Sequence, residues 1–436
     1  MTRQVNIICF ICIMKVLLVC KSGKVGGAAI ASYRLMEVLR ENGVDAKLLV
    51  QEDGKEDDGV VSTTKSVPKK WMNFLRFALE RLLFLRHEKS REIRFLFSPA
   101  NIGEQLIGNK DIREADLIHL HWVNAGFLSL KSMKKLLNLG KPVVWTFHDM
   151  WAMTGGCHHA LTCEGYKAEC GNCPYLKKPA NRDLSHRLWI KKNRLFRNRS
   201  ITVITPSQWM HDRVKESSIF GGMDVYTIPN AVDQTIFQPV DRKTTCKKLG
   251  LDPEKKYILF GAASVGNLYK GFRYFKEAIG ELCRDPEQVE GVEVLLFGKN
   301  SSEVSSRLPL TSRSFDYVDS TQTMRDLYGV AQLYAISSLQ DTFPTTVIES
   351  MFCGTPVVGF KTGGIPEMIA HLSDGYLASY KSASDLADGM RWALSHEDYP
   401  DLSVRVREEA EQRFSSEHTA KMHVEVYNKL SRESGT

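Results

Sequence analysis

Asp341 and Glu349 bracket a loop and a helix start in the stretch QDTFPTTVIESMFCGTPVV, which Gly354-Thr355-Pro356 closes. Proline has no backbone donor to lose in the first turn of a helix, so Pro344 marks that turn. The free amides from Phe343 to Thr346, that of Thr345 among them, then point into a cleft, ready for a diphosphate. Glu349, one turn further in, can accept hydrogen bonds from a vicinal diol, and Asp341 can do so from the other side. Glu349 and Lys270 are both expected to sit in that cleft, filled by solvent.

Other chemistry-bearing residues also follow apolar runs. After KVLLVCKSG comes KVGGAAIASYRLMEVLRENG, in which Gly26 and Gly27 precede an Ala-rich helix and let backbone amides approach an anion; a tight turn alone would also use them. The G-x-G-x-x-G spacing is absent there, which argues against a dehydrogenase. His148-Asp149 follows PVVWTF, where an imidazole can hydrogen-bond a substrate hydroxyl or move a proton. Lys270-Gly271 precedes a helix from about Phe272, a place for a cation to stabilise a departing phosphate. Gly363-Gly364 follows TPVVGF as a further backbone loop, and loops at Gly298 and around Tyr317 and Val318 are expected to contact a ligand.

The elements that must position these residues are short apolar runs alternating with helix-period segments: KVLLVC, AKLLV, DLIHLHW, PVVWTFH and ITVITPS, then YILFGAA, VEVLLFG, LYAISSL and TPVVGF. Continuous apolar strands separated by helices indicate parallel sheets covered on both faces. Two such series predict two doubly wound Rossmann-like α/β domains, with the break inside IPNAVDQTIFQPVDRK. Ligands of such sheets sit at the carboxyl ends of the strands, where these residues stand. A chain of 436 residues is long enough for two domains. A net charge of +7 with 25% charged residues is too weak to argue for a nucleic-acid partner. Six of the ten cysteines, Cys9, Cys12, Cys20, Cys246, Cys283 and Cys353, are scattered mainly in apolar runs and point to a reducing, cytoplasmic setting, and Met14 onward is expected to be the first strand, with residues 1–13 an upstream extension.

Together these motifs resemble the retaining GT-B glycosyltransferases of family 4 from Met14 onward. The most specific part is SSLQDTFPTTVIESMFCGTPVVGFKTGGIPEMI, which is similar to the family's acid-x7-acid element, G-T-P-V-V strand and G-G-I-P-E loop; ITPSQWMHDRV and TIPNAVDQTIF resemble family segments too. The resemblance implies two Rossmann-like domains across a cleft: 1–235 binding the acceptor, 236–415 binding a nucleotide-sugar, and a C-terminal helix, 416–436, packing back on the first. It implies that Glu349 holds the ribose, Asp341 and backbone around Phe343 hold the sugar, Lys270 neutralises the diphosphate, Gly26-Gly27 cradle it, and His148 touches the sugar near a glycan or lipid-linked acceptor. No metal or other cofactor is then required for catalysis. The family usually has Glu at position 341 and an Arg where the count places Val265. A nucleotide-sugar epimerase and a non-catalytic glycan-binding subunit are the competing readings.

GGCHHALTCEGYKAECGNCP, within the loop 155–175, places Cys157, Cys163, Cys170 and Cys173 close together, a pattern that suits a structural zinc site, with disulfides or free thiols as the alternatives. His158 and His159 could replace one of them, or be solvated. Segment 69–94 is a basic amphipathic helix that could lie on an anionic membrane or pack on its own domain, and the basic run 185–200 could meet lipid phosphates or be a solvated face.

Overall fold

The computed structural model describes residues 14–23, 25–52 and 59–434. The expected extension 1–13 lies outside them. The first apolar series forms strands β1 (Lys15–Cys20), β2 (Asp45–Val50), β4 (Leu117–Leu120), β5 (Val143–Thr146) and β6 (Thr202–Thr205), and two short strands outside that series, β3 (Val60–Ser62) and β7 (Val225–Thr227), complete its sheet. The second forms β8 (Lys256–Ser264), β9 (Val292–Lys299), β11 (Leu333–Ile336) and β12 (Val357–Phe360), to which β10 (Ser312–Ser314) and β13 (Gly375–Ala378), also outside the series, are added. Their orders are β3-β2-β1-β4-β5-β6-β7 and β10-β9-β8-β11-β12-β13, and each pairing between neighbouring strands is parallel.

The apolar runs are continuous because both faces of each sheet are covered. Along β1, Leu17 and Val19 join one core cluster while Val16, Leu18 and Cys20 join the cluster on the opposite face. The second sheet divides its residues in the same way: Leu259 faces one cluster, Ile258 and Phe260 the other. In both sheets the strand order reverses at one point, between β1 and β4 and between β8 and β11. Connections leave such a point in opposite directions and open a crevice at the carboxyl ends. Gly26-Gly27 and Lys270 follow β1 and β8, and His121 and Asp341 follow β4 and β11.

The last helix, Ser416–Ser434, crosses back to the first sheet, where Val426 and Tyr427 enter the β1 core. The Tyr427 hydroxyl bonds His119 Nδ1 at 2.7 Å, and Thr146 Oγ1 satisfies His119 Nε2 at 2.7 Å. His121 stacks above His119 with ring centroids 4.3 Å apart, and its Nδ1 meets His148 Nε2 at 2.9 Å. His423 lies on the other side of His119 at 5.9 Å. Burial, and the proximity of other imidazoles, hold His119 and His121 well below the usual histidine range, and burial brings His148 and His423 to about 4. Asp149 pulls His148 upward, by less than burial pushes it down.

These histidines are neutral in the folded chain and take up protons when it unfolds in acid. Their stabilisation is complete above the unfolded value near 6.5 and is lost as pH falls toward 4. One histidine held neutral gives a slope of about 1.4 kcal/mol per pH unit. The thermal midpoint is therefore expected to drop steeply between pH 6.5 and 4.5; a flat profile over that window contradicts the neutral column.

Candidate functional site

Lys270 ends a single turn, Leu268–Lys270, ahead of the helix Phe272–Leu282. Its backbone is stitched to the end of β11: Ser337 Oγ donates to the Lys270 and Gly271 carbonyls at 3.0 and 2.9 Å. Gly271 has φ +67, and a Cβ there would stand 1.9 Å from the Ser337 carbonyl oxygen, so only glycine fits. Asp341 is clamped likewise, with Gly363 at φ +58 and its missing Cβ 1.9 Å from the Asp341 carbonyl oxygen. Between these clamps Lys270 Nζ meets Asp341 Oδ2 at 2.6 Å, and Ser338 Oγ adds a longer contact of 3.4 Å. The expected lysine and first acid are thus brought together.

The helix after Asp341 runs Thr345–Phe352, and Pro344 stands one position earlier than expected, at its N-cap. No side chain caps this terminus, so its amide end is open to an anion. Phe343 turns its ring into the core, edge-on to Phe414 at 5.9 Å, which leaves backbone as its offering. Gly298, next to last in β9, lies against the Ala262 carbonyl, with its N–H bonded to Asp316 O at 2.5 Å, while Val318 packs its side chain on the second-domain core. Val265 is fully buried among Phe260, Phe275 and Ile279, so no cation stands at that position.

Glu349 corrects one expectation. It is 6% exposed, not solvent-facing, because Arg34 from the first domain donates Nη1 to its Oε1 at 2.7 Å and the Tyr328 hydroxyl donates to Oε2 at 3.1 Å. Arg34 rides on the helix Gly27–Glu41, which Gly26 opens at φ 96, and its guanidinium also lies over the Phe237 ring at 5.3 Å. Sequence reading missed Arg34, since one arginine inside an amphipathic helix gives no signal of a partner 315 positions away.

Other bonds close the domains on each other. Both oxygens of Glu367 accept 2.6 Å bonds from the amides of Gln208 and Trp209, which open the helix Gln208–Lys215. A carboxylate there meets free donors and the positive helix end. The Leu161 amide donates to Gln340 Oε1 at 2.8 Å, and the Tyr175 and Tyr269 hydroxyls meet at 2.6 Å. His159 lies against the Tyr269 ring at 4.8 Å, near enough to feel Asp341 and Lys270; burial lowers it to about 4.

His148 lines a cavity with His121, Asn124 and Asp149. Asp149 accepts from Trp122 Nε1 at 3.0 Å and the Trp151 amide at 2.8 Å, and bonds His158 Nδ1 at 2.7 Å, while His158 Nε2 meets Ser98 Oγ at 2.9 Å. His158 is thereby occupied, not solvated. Cys157, Cys163, Cys170 and Cys173 are free thiols lining one cavity, and the Gly155 amide donates to Cys170 Sγ at 3.1 Å. Among the described residues, however, no three His, Cys, Asp or Glu side chains stand in position to hold a metal ion. The four cysteines are gathered without forming a ligand shell. In the basic run 185–200, Lys192 is fully buried: it donates to Thr154 O at 3.0 Å and lies 3.6 Å from the Trp151 ring centroid.

Two family models match this chain, Glycosyltransferase Family 4 over residues 25–235 and Glycosyl transferases group 1 over residues 256–396. Both halves of the chain thus match glycosyltransferase models, Family 4 in the first and group 1 in the second, on a GT-B fold. It is 26% identical over 265 residues to the putative colanic acid biosynthesis glycosyl transferase WcaC of Escherichia coli, covering 58% of this chain and 62% of that one. It is 25% identical over 242 residues to N-acetyl-alpha-D-glucosaminyl L-malate synthase of Bacillus anthracis, covering 51% and 57%. These matches span less than two thirds of those relatives. Among solved structures, sucrose-phosphate synthase from Thermosynechococcus elongatus superposes with TM-score 0.68 at 16% identity over 96% of this chain and 99% of that one. Anabaena HepE in complex with UDP and glucose gives 0.62 at 17% over 95% and 99%. At such identities these two speak for the fold.

Removing one partner of a buried pair strands the other charge, at about 3–5 kcal/mol. Glu349→Ala is therefore expected to lower unfolding stability by about 3 kcal/mol in urea titration, and Arg34→Met to recover much of that loss in the double variant. A Glu349→Ala protein as stable as the parent would contradict the burial of the pair.

Proposed function

We propose that this glycosyltransferase moves a sugar, with retention of configuration, from a nucleotide-sugar to a glycan or lipid-linked acceptor in envelope or capsular polysaccharide synthesis. The observation that carries the reading is the Lys270–Asp341 pair beside the open helix end of Thr345–Phe352 at one switch point, with Arg34, on the helix that Gly26 opens after the other, reaching Glu349. HepE in complex with UDP and glucose on the same fold, and WcaC being named for colanic acid biosynthesis, support the donor and product classes.

In this reading the diphosphate takes the Lys270 ammonium and the amides at Thr345 and Thr346, and Asp341, released from its lysine, turns to the sugar hydroxyls. Glu349 binds the ribose diol after exchanging Arg34 for it. As the bond from the anomeric carbon to the diphosphate oxygen lengthens, the leaving group gains negative charge and the sugar positive charge; fixed donors in a closed cleft lower that barrier. His148, neutral near pH 7, can accept from or donate to a sugar hydroxyl at the acceptor edge without adding charge.

Donor hydrolysis or transfer, read as nucleotide release with acceptor present, is expected to fall at least about 10²-fold in Lys270→Ala with the fold retained, and NMR of the first product should show the donor's anomeric configuration. Turnover at the parent rate removes Lys270 from the site, and an inverted product overturns retention.

Structural zinc is proposed for the cysteine cavity, on the support of four unpaired thiols around one space and an N–H already directed at one sulfur. Ligation requires their side chains to rotate inward. Protein purified without chelator should carry about one equivalent of zinc and lose thermal stability when it is stripped; a metal-free, equally stable preparation refutes this.

A further inference from the structure

The helix Val67–Leu85 is inside out. Its buried residues are Glu80, Arg81 and Phe84, while every exposed residue from Trp71 to Leu85 is apolar. Val67, Trp71, Phe74, Leu75 and Leu82 are each more than half exposed, as is Phe95 beside them. Met72, Leu79, Leu83 and Leu85 of the same helix are exposed as well, whereas the large apolar side chains exposed elsewhere among the described residues are scattered along the chain. Isolated exposed hydrophobes are ordinary, but a contiguous face of them along one helix marks a contact surface.

Polar groups on the inner side fix this orientation. Glu80 Oε1 accepts from Arg81 Nη2 at 3.0 Å and from the Ala100 amide at 3.2 Å, and Arg81 Nη1 donates to Phe97 O at 3.0 Å. Lys69 pairs with the buried Glu104 at 2.6 Å, Asn73 Nδ2 donates to Thr64 Oγ1 at 2.7 Å, and Phe84 stacks on Phe97 at 4.8 Å. Rotating the helix to hide its apolar side would break the bonds that tie Glu80 to the Ala100 amide and Arg81 to the Phe97 carbonyl and would leave both charges unpartnered there, so the face is held outward.

Charge identifies the occupant. Exposed Lys65 and Lys70 stand before the apolar arc and Arg86, Lys89 and Arg91 after it, while the exposed acid from 65 to 95 is Glu92. A protein groove would be expected to meet such an arc with acids placed for individual cations; a bilayer offers an apolar layer bordered by a continuous anionic plane. No helix among the described residues is long and apolar enough to cross a membrane, so this one can lie in the plane but not span it. It also borders the cleft: Lys21, directly after β1, sits 4.8 Å from the Phe77 ring centroid and donates to Ala125 O at 2.9 Å.

We propose that the Val67–Leu85 helix docks this protein on the surface of an anionic bilayer, its apolar arc at the boundary of headgroups and acyl chains. The basic run 185–200 does not share this role, since it exposes no large hydrophobe and buries Lys192. The inference does not rest on the transfer reading, and its test needs no sugar.

The full-length chain is sedimented with vesicles of phosphatidylcholine, alone or mixed with phosphatidylglycerol, at low and high salt. Binding is expected on the anionic vesicles, weakened by salt. The variant Trp71→Ser/Leu75→Ser/Leu82→Ser, whose positions are exposed, should keep its unfolding midpoint and bind at least tenfold more weakly, and Arg86→Glu/Arg91→Glu should weaken binding at low salt. A wild-type chain left in the supernatant, or a triple variant that sediments as fully as the parent, overturns the proposal. Concentration-dependent dimerisation abolished by the triple variant, without vesicle binding, would assign the face to a second copy instead.

Discussion

The bond from Arg34 to Glu349 is where the two halves of the molecule depend on each other. A carboxylate and a guanidinium withdrawn from water are tolerated because each supplies the other's missing solvation, with Tyr328 and the Phe237 ring completing the shell. Lys270 and Asp341 are matched in the same way one turn of backbone away from the open helix end. The charges of both acids are thus neutralised by cations, one from the other domain and one from the same domain. In the proposed reading a donor exchanges these partners, its diphosphate taking Lys270 and its hydroxyls taking Asp341 and Glu349. That exchange links selectivity to domain closure, because Arg34 and Glu349 lie on opposite domains.

Strand direction explains why these groups meet. In an all-parallel sheet every strand delivers its following loop to the same edge, and each switch point opens that edge into a crevice. The first domain sends Gly26-Gly27, His121 and His148 there, and the second sends Lys270, Asp341 and Gly363. The C-terminal helix, tied through Tyr427 to His119, anchors the chain's end beneath the histidines of the first crevice. Glu367, bonded to the amides of Gln208 and Trp209, holds the far side.

Much of this architecture was legible in the sequence because it is carried by local pattern. Apolar runs such as KVLLVC and YILFGAA have one stable use in a chain of this length, and Lys270-Gly271 and Asp341 fell at strand ends as expected. What escaped was long-range pairing. Glu349 looked exposed because nothing near it in sequence is cationic, and its arginine comes from the other domain. Glu367 read as a loop residue although it caps a helix from the first domain. The segment 69–94 reads as amphipathic, but periodicity does not say which side faces inward; the buried Glu80 and Arg81 do. The cysteines were rightly grouped by spacing, yet spacing does not fix how closely sulfurs approach.

The most direct measurement is the thermal shift of the full-length protein with UDP-, GDP-, ADP- and dTDP-sugars, beside the free diphosphates. At a hundred times its dissociation constant a donor adds about 2.7 kcal/mol of stability. A site built from Lys270, Asp341 and Glu349 predicts stabilisation by one nucleotide class, with the sugar-bearing form exceeding the free diphosphate, and loss of the effect in Lys270→Ala. Folded protein that responds to none of them would contradict nucleotide-sugar binding at this cleft.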